Sequence, residues 1–164
     1  MYCGVHCLTF VARRDGIKVS RARASALAGT NRNGTRPDGM MGALTALGYR
    51  RARLTERMTW GRLRQLSKNK RAVLIVAWWS DLDAGARGTP SLADGHYSVV
   101  LEMTHDTITL YDPDVPEPRV LPREFFMARW YDWFFDADKT RRNLPRGVII
   151  AYAPKKQDKL TRVK

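Results

Sequence analysis

The stretch GHYSVVLEMTHDTITLYDP (residues 95–113) reads as two strands joined by a tight turn. HYSVVLEM and TITLYD are rich in β-branched and aromatic residues, and the short polar THD between them predicts a hairpin. An antiparallel hairpin brings the chain back to its starting end, so Asp112 returns to the end where His96 begins, with neighbouring strands about 4.8 Å apart. A carboxylate there can accept an imidazole N–H, fix the ring's tautomer and stabilise the imidazolium. His96 follows Gly95 at the mouth of its strand, a partly exposed and rigidly based position. Asp112 precedes Pro113 and also suits the start of a turn.

Upstream, AVLIVAWW (72–79) is a continuous apolar run of the kind a strand covered on both faces requires. Downstream, GVIIAYA (147–153) predicts a fourth strand, DPDVPEP (112–118) a Pro-rich turn, and LPREFFMARWYDWFF (121–135) a helix with an aromatic face. Phe125, Phe126, Trp130, Trp133 and Phe134 then read as core and sheet cover. DADKTRRNLPRG (136–147) leads back to the last strand. The first half reads helical. Val5, Leu8, Val11 and Ala12 recur at helical spacing until Asp15-Gly16 stops the pattern, Ser20 caps a second helix, Asp38 a third, and Thr59 a short fourth. Helices followed by an antiparallel sheet predict an α+β fold.

At 164 residues the chain fits one domain, expected over 1–154, with a basic tail over 155–164. Its apolar runs are too short to cross a bilayer, and its N-terminus lacks the pattern of a secretory signal, so a cytoplasmic location is expected. Two cysteines four apart do not make a disulfide framework. Net charge is +13, and residues 1–80 carry all of the excess with 16 basic against 3 acidic residues, while residues 81–164 balance at 13 of each. A basic first half is compatible with a weak contact to nucleic acid or to an acidic partner, although no recognition helix, zinc finger or RNA-binding signature accompanies it.

Cys3 stands at the start of the first helix, where unpaired N–H groups and the positive end of the macrodipole favour thiolate over thiol, as a nucleophile needs. Cys7, one turn on and among Leu8 and Val11, reads as a core residue. His96 is the partner expected for Cys3; His6 and His105 read as surface residues. A second chemistry drawn from the same residues is a zinc site of Cys3, Cys7 and His96 with one open position, against which stands the lack of a second close-spaced ligand pair.

CGVHCLTFVARRDG, GHYSVVLEM, LYDPD and FFMARWYDWFF, in that order, resemble the double-glycine leader peptidases that process bacteriocin precursors, a group of papain-like cysteine peptidases. The resemblance implies a papain-like fold, a free-standing peptidase, Cys3 as nucleophile, His96 as general base and Asp112 as the residue orienting it, with small residues ahead of the scissile bond. No cofactor and no metal are implied. Family members also carry a glutamine several residues before the cysteine as an oxyanion donor, whereas only Met1 and Tyr2 precede Cys3 in this sequence. Losing such a donor costs about 100- to 1,000-fold in rate. Either another group substitutes, or the true start lies upstream, or activity is impaired. The alternative to catalysis is a peptidase-like binding protein whose basic lobe, residues 1–80, makes the contact.

Overall fold

The first helix, α1 (Cys3–Arg14), buries Val5, Cys7, Leu8, Val11 and Ala12 and carries Arg13 and Arg14 in its last turn, where cations complement the dipole. It ends as Gly16 takes a left-handed φ of 71°, with Gly16 N–H bonded to the Arg13 carbonyl and Ile17 N–H to that of Ala12. The computed structural model describes residues 2–79, 95–135 and 140–154. The proposed basic tail, the residues just before Gly95 and residues 136–139 lie outside them.

Helix α2 (Arg21–Leu27) starts where Ser20 Oγ accepts the Arg23 N–H at 3.1 Å. Helix α3 (Pro37–Ala46) departs from expectation: its cap is Arg36, not Asp38. Proline has no N–H to satisfy and a φ already helical, so Pro37 takes the first position and moves Asp38 into the first turn, paired with Arg36 at 3.0 Å. Strand β1 (Arg50–Thr55) follows, then α4 (Trp60–Ser67), capped by Thr59 as expected.

The remaining elements are β2 (Ala72–Trp79), β3 (Gly95–Met103), β4 (Thr107–Tyr111), β5 (Arg119–Pro122), α5 (Arg123–Arg129), β6 (Tyr131–Phe135), β7 (Arg141–Pro145) and β8 (Val148–Tyr152). Six form one antiparallel sheet in the order β1-β8-β2-β3-β4-β5, and β6 pairs with β7 apart from it. The aromatic helix is therefore shorter than expected. It stops at Arg129, after which YDWFF pairs with RRNLP as strands, a tertiary preference that helical spacing alone does not reveal.

The sheet is covered on both faces. Val73, Ile75 and Ala77 of β2 pack with α1, α2 and α3, while Leu74, Val76 and Trp78 pack with Leu63, Phe126 and Trp130 from the opposite side. That is why β2 is apolar at every position rather than at alternate ones.

The hairpin expected at 95–113 forms, with one irregularity that decides the site. Next to the turn Met103 opposes Ile108, but beyond a bulge between Val100 and Glu102 the pairing becomes Val100 to Leu110 and Val99 to Tyr111. Side chains alternate along a strand, so one inserted residue reverses which face the far half presents. Without it Val99 would oppose Asp112, and His96 and Asp112 would point to opposite faces of the sheet. With it they share one.

Two glycines of α3 test the helix packing. A Cβ at Gly39 would collide with the Ala28 carbonyl oxygen at the end of α2, whereas a Cβ at Gly42 meets nothing within 4 Å. Gly42→Ala is expected to gain up to about 1 kcal/mol of helix propensity, and Gly39→Ala to lose about 1–3 kcal/mol through overpacking. Thermal unfolding followed by circular dichroism checks both; equal falls in Tm would contradict the α2–α3 contact.

Candidate active site

Cys3 is the first residue of α1 and is 7% exposed. Its helix begins without a capping side chain from Tyr2 and without an acidic residue in the first turn, so the positive end of the dipole is not neutralised at the sulfur. Four residues on, the Cys7 thiol donates to the Tyr97 carbonyl at 3.3 Å, tying α1 to β3 beside His96. Cys7 is a core residue as expected, and burial pushes its thiol well above the usual range.

His96 (5% exposed) opens β3, and Asp112 (1% exposed) follows the last residue of β4. The bulge puts both on the face that carries Trp78. His96 Nε2 and Asp112 Oδ1 are 2.7 Å apart, and the Asp114 N–H donates to the same oxygen at 3.1 Å. Asp112 therefore orients an imidazole and starts a turn at once. His96 and Asp112 come together, and Cys3 is a near enough neighbour that its hydrogen bonding and charge raise the imidazole pKa. Nε2 is directed at Asp112, which leaves Nδ1 as the ring nitrogen not bonded to it.

The charges follow from this geometry. Burial pushes the His96 imidazole down, but its hydrogen bonds to Asp112 and Cys3, and the charges of both, outweigh burial and lift it to about 9. Burial pushes the Asp112 carboxyl up, but hydrogen bonds from His96 and Arg119 hold it at about 2. Asp112 is thus an anion at neutral pH and His96 its protonated partner.

Four neighbours escaped the sequence reading: Arg119, Ser98, Asp114 and Asp132. Arg119 Nη1 donates to Asp112 Oδ2 at 2.6 Å. Ser98 Oγ accepts the Trp78 indole N–H at 2.9 Å, and the Trp78 ring stands edge-on to His96 with centroids 6.4 Å apart. Asp114, 73% exposed, has Oδ2 3.6 Å from His96 Nδ1. Asp132, which accepts the Trp133 N–H, lies so close to Gly95 that a Cβ there would stand 2.5 Å from its Oδ1; burial lifts its carboxyl to about 7 against the pull of that N–H and the His96 charge. Arg119 and Asp132 sit on β5 and β6, neither of which was expected as a strand.

The zinc arrangement does not assemble, since Cys7 is engaged with β3. Among the described residues the one group of three with ligand atoms in mutual reach is His96, Asp112 and Asp114. Its members are held by one another and by Arg119. His105 lies on the surface, bonded to Asp106, but His6 is half-buried, and burial and then Arg21 lower its pKa while Asp114 opposes them. Of the aromatic row, Phe126 and Trp130 are fully buried, while Trp133 is half-buried with the Arg141 guanidinium over its ring.

The family model described as the Peptidase C39 family matches residues 1–139. Among solved structures, the peptidase domain of Streptococcus ComA, a bi-functional ABC transporter involved in a quorum sensing pathway, matches with a TM-score of 0.65 at 21% identity, over 93% of this chain and 91% of that one. A double glycine motif protease from an AMS/PCAT transporter, solved in complex with the leader peptide, matches with a TM-score of 0.61 at 14% identity, over 92% and 84%. At these identities the structural matches establish the shared papain-like fold. No curated protein matches the chain. Among the described residues no helix is long and apolar enough to cross a membrane.

Linkage gives the site a pH signature. Asp112 is lowered from 3.8 to about 2, so its contribution to stability is present above 3.8 and is lost as pH falls towards 2. His96 is raised from 6.5 to about 9, so its contribution is present below 6.5 and is lost as pH rises towards 9. The difference in unfolding free energy between wild type and Asp112→Asn is therefore expected to peak between about pH 4 and 6.5 and to shrink on either side. Urea titrations across pH measure it, and a difference independent of pH would contradict the pairing.

Proposed function

The chain belongs to the Peptidase C39 family, and from that premise we propose that it hydrolyses a peptide bond through a thioester on Cys3. In this reading His96 already holds the proton drawn from the Cys3 thiol, so sulfur attacks the scissile carbonyl as thiolate, and His96 gives that proton to the leaving amine as the C–N bond breaks. His96 then takes a proton from water, the hydroxyl attacks the thioester, and the sulfur leaves as thiolate beside the protonated imidazole. Asp112 stays ionised throughout, accepting the Nε2–H and stabilising the imidazolium at each step. The backbone N–H at Cys3, at the uncapped start of α1, is the donor for the developing oxyanion.

The observation that carries the reading is the buried 2.7 Å contact between His96 and Asp112, on an imidazole whose pKa the neighbouring Cys3 at the head of α1 raises. A buried His–Asp pair by itself is common. A buried pair beside a thiol at a helix N-terminus is the arrangement of a nucleophile with its base.

The solved relative with a bound leader peptide supports a peptide with a double-glycine motif as the class of substrate. Incubation with peptides containing Gly-Gly followed by varied residues, read by mass spectrometry, tests this. Wild type is expected to cut after the second glycine, and Cys3→Ala to leave the peptide intact. His96→Ala is expected to lose roughly 100- to 10,000-fold in kcat/KM, the usual worth of general acid–base catalysis. Cleavage undiminished in Cys3→Ala would overturn the proposal.

A further inference from the structure

Asp112 has two carboxylate oxygens with different duties. Oδ1 is shared between His96 Nε2 and the Asp114 N–H, while Oδ2 is met by Arg119 Nη1 at 2.6 Å. Arg119 is held for this contact from several sides. On β5 it pairs opposite Leu110, two residues before Asp112, so the ladder turns it to the same face of the sheet. Its guanidinium lies 5.2 Å from the centroid of the Trp78 ring, and Trp78 is itself pinned by its bond to Ser98. The Arg119 side chain is 13% exposed, and among the described residues its buried Nη2 finds no hydrogen-bond acceptor, so Asp112 is the anion this cation is bonded to.

We infer that Arg119 is a positioning residue for this site, holding the Asp112 carboxylate charged and in line with His96 Nε2 while the imidazole passes between its protonated and neutral forms. The inference deepens the peptidase reading and rests on it for its functional consequence. While His96 is protonated, Asp112 has a cation on each oxygen. Once His96 gives its proton to the leaving amine, a carboxylate this deeply buried faces a neutral ring, and without a second cation it would gain by taking a proton from solvent or from Nε2. Either transfer leaves His96 in the wrong tautomer or without its counter-charge. An arginine suits the task because a guanidinium holds its charge when buried and grips a carboxylate along a fixed direction, whereas an ammonium brings a point charge without that planar geometry.

The other groups that face Asp112 do not supply this charge. Cys3 and Cys7 on α1 and Tyr111 beside it are neutral or become anionic, and Asp114 is a second carboxylate. Trp78 on β2 is uncharged. Among the described residues, Arg119 is the cation hydrogen-bonded to Asp112 that remains when His96 is neutral.

The test uses the full chain and the variants Arg119→Met, which keeps length without charge, Arg119→Gln, which keeps a donor without charge, and Arg119→Lys, which keeps charge without the fork. The Asp112 carboxyl is titrated by carbon-13 NMR, and the rate of Cys3 alkylation by iodoacetamide is measured across pH. In wild type Asp112 is expected to titrate near 2. In Arg119→Met and Arg119→Gln it should rise by about one unit or more, which is about a tenfold change in its ionisation equilibrium, and the acid limb of alkylation should move to higher pH. Arg119→Lys should recover part of both shifts. A merely structural arginine would slow alkylation at every pH without moving the limb. If Arg119→Met fails to fold, Arg119→Gln decides. An Asp112 titration unchanged in the uncharged variants overturns the inference whether or not peptide is cleaved. A wild type whose Asp112 titrates near 2, yet which cleaves no Gly-Gly peptide, counts against the peptidase reading while the carboxyl titrations still decide the role of Arg119.

Discussion

The 2.7 Å hydrogen bond between His96 and Asp112, closed off from water, is the constraint around which the rest of the structure is arranged. Neither partner can be buried alone, because an unpaired carboxylate or imidazolium in such a setting carries a heavy desolvation penalty. Burying them together requires that two adjacent strands present them to the same face. The bulge between Val100 and Glu102 does this by inserting one residue into β3 and reversing its facing for the half that carries His96. A bulge costs a regular ladder pair and leaves a residue unmatched. Here it separates a hairpin that stabilises from a hairpin that also brings a base to its counter-charge.

Bringing a thiol to that base is a separate task, performed by helix packing. The buried face of α1 shares one apolar cluster with Val73, Ile75, Val99 and Ile149 of the sheet, and Cys7 bonds to the backbone at Tyr97, which ties the first turns of the helix to β3. The apolar contacts that stabilise the fold thus set the distance on which the proposed chemistry depends. Trp78 joins the two tasks. It fills the second core with Phe126 and Trp130, stands edge-on to His96, and lies against Arg119. The aromatic core and the charged relay share one wall.

The hairpin, α1 with Cys3 at its head, two of the three capping residues and the meeting of His96 with Asp112 were legible because each rests on local chemistry: a polar turn between β-branched runs, a serine or threonine ahead of a helix, a cysteine at a helix start. The parts that escaped rest on distant partners. RRARLT reads as solvated charge, yet Ala52 and Leu54 pack on the helical core and the strand pairs with β8, its arginines blunting an exposed edge. RVLP is four residues long and follows a Pro-rich turn, so β5 gave no periodic signal, and Arg119 was lost with it. YDWFF continues an aromatic helical stripe until RRNLP, ten residues later, claims it as a strand. Asp38 lost the capping position to a proline immediately before it. The register of the hairpin could not be read at all, since nothing in SVVLEM marks where a bulge falls.

The family match over residues 1–139 and the shared fold make a cysteine peptidase-type function the frame for this chain; which residues carry it is the question chemistry can answer. The most direct measurement is to expose the protein briefly to an acyl-Gly-Gly nitrophenyl ester, quench in acid, and locate the acyl group by peptide mass mapping. The account predicts a single thioester on Cys3 in wild type, and little or none in His96→Ala. Acylation of Cys3 to the same extent in both proteins, or acyl groups only on lysines, would contradict it.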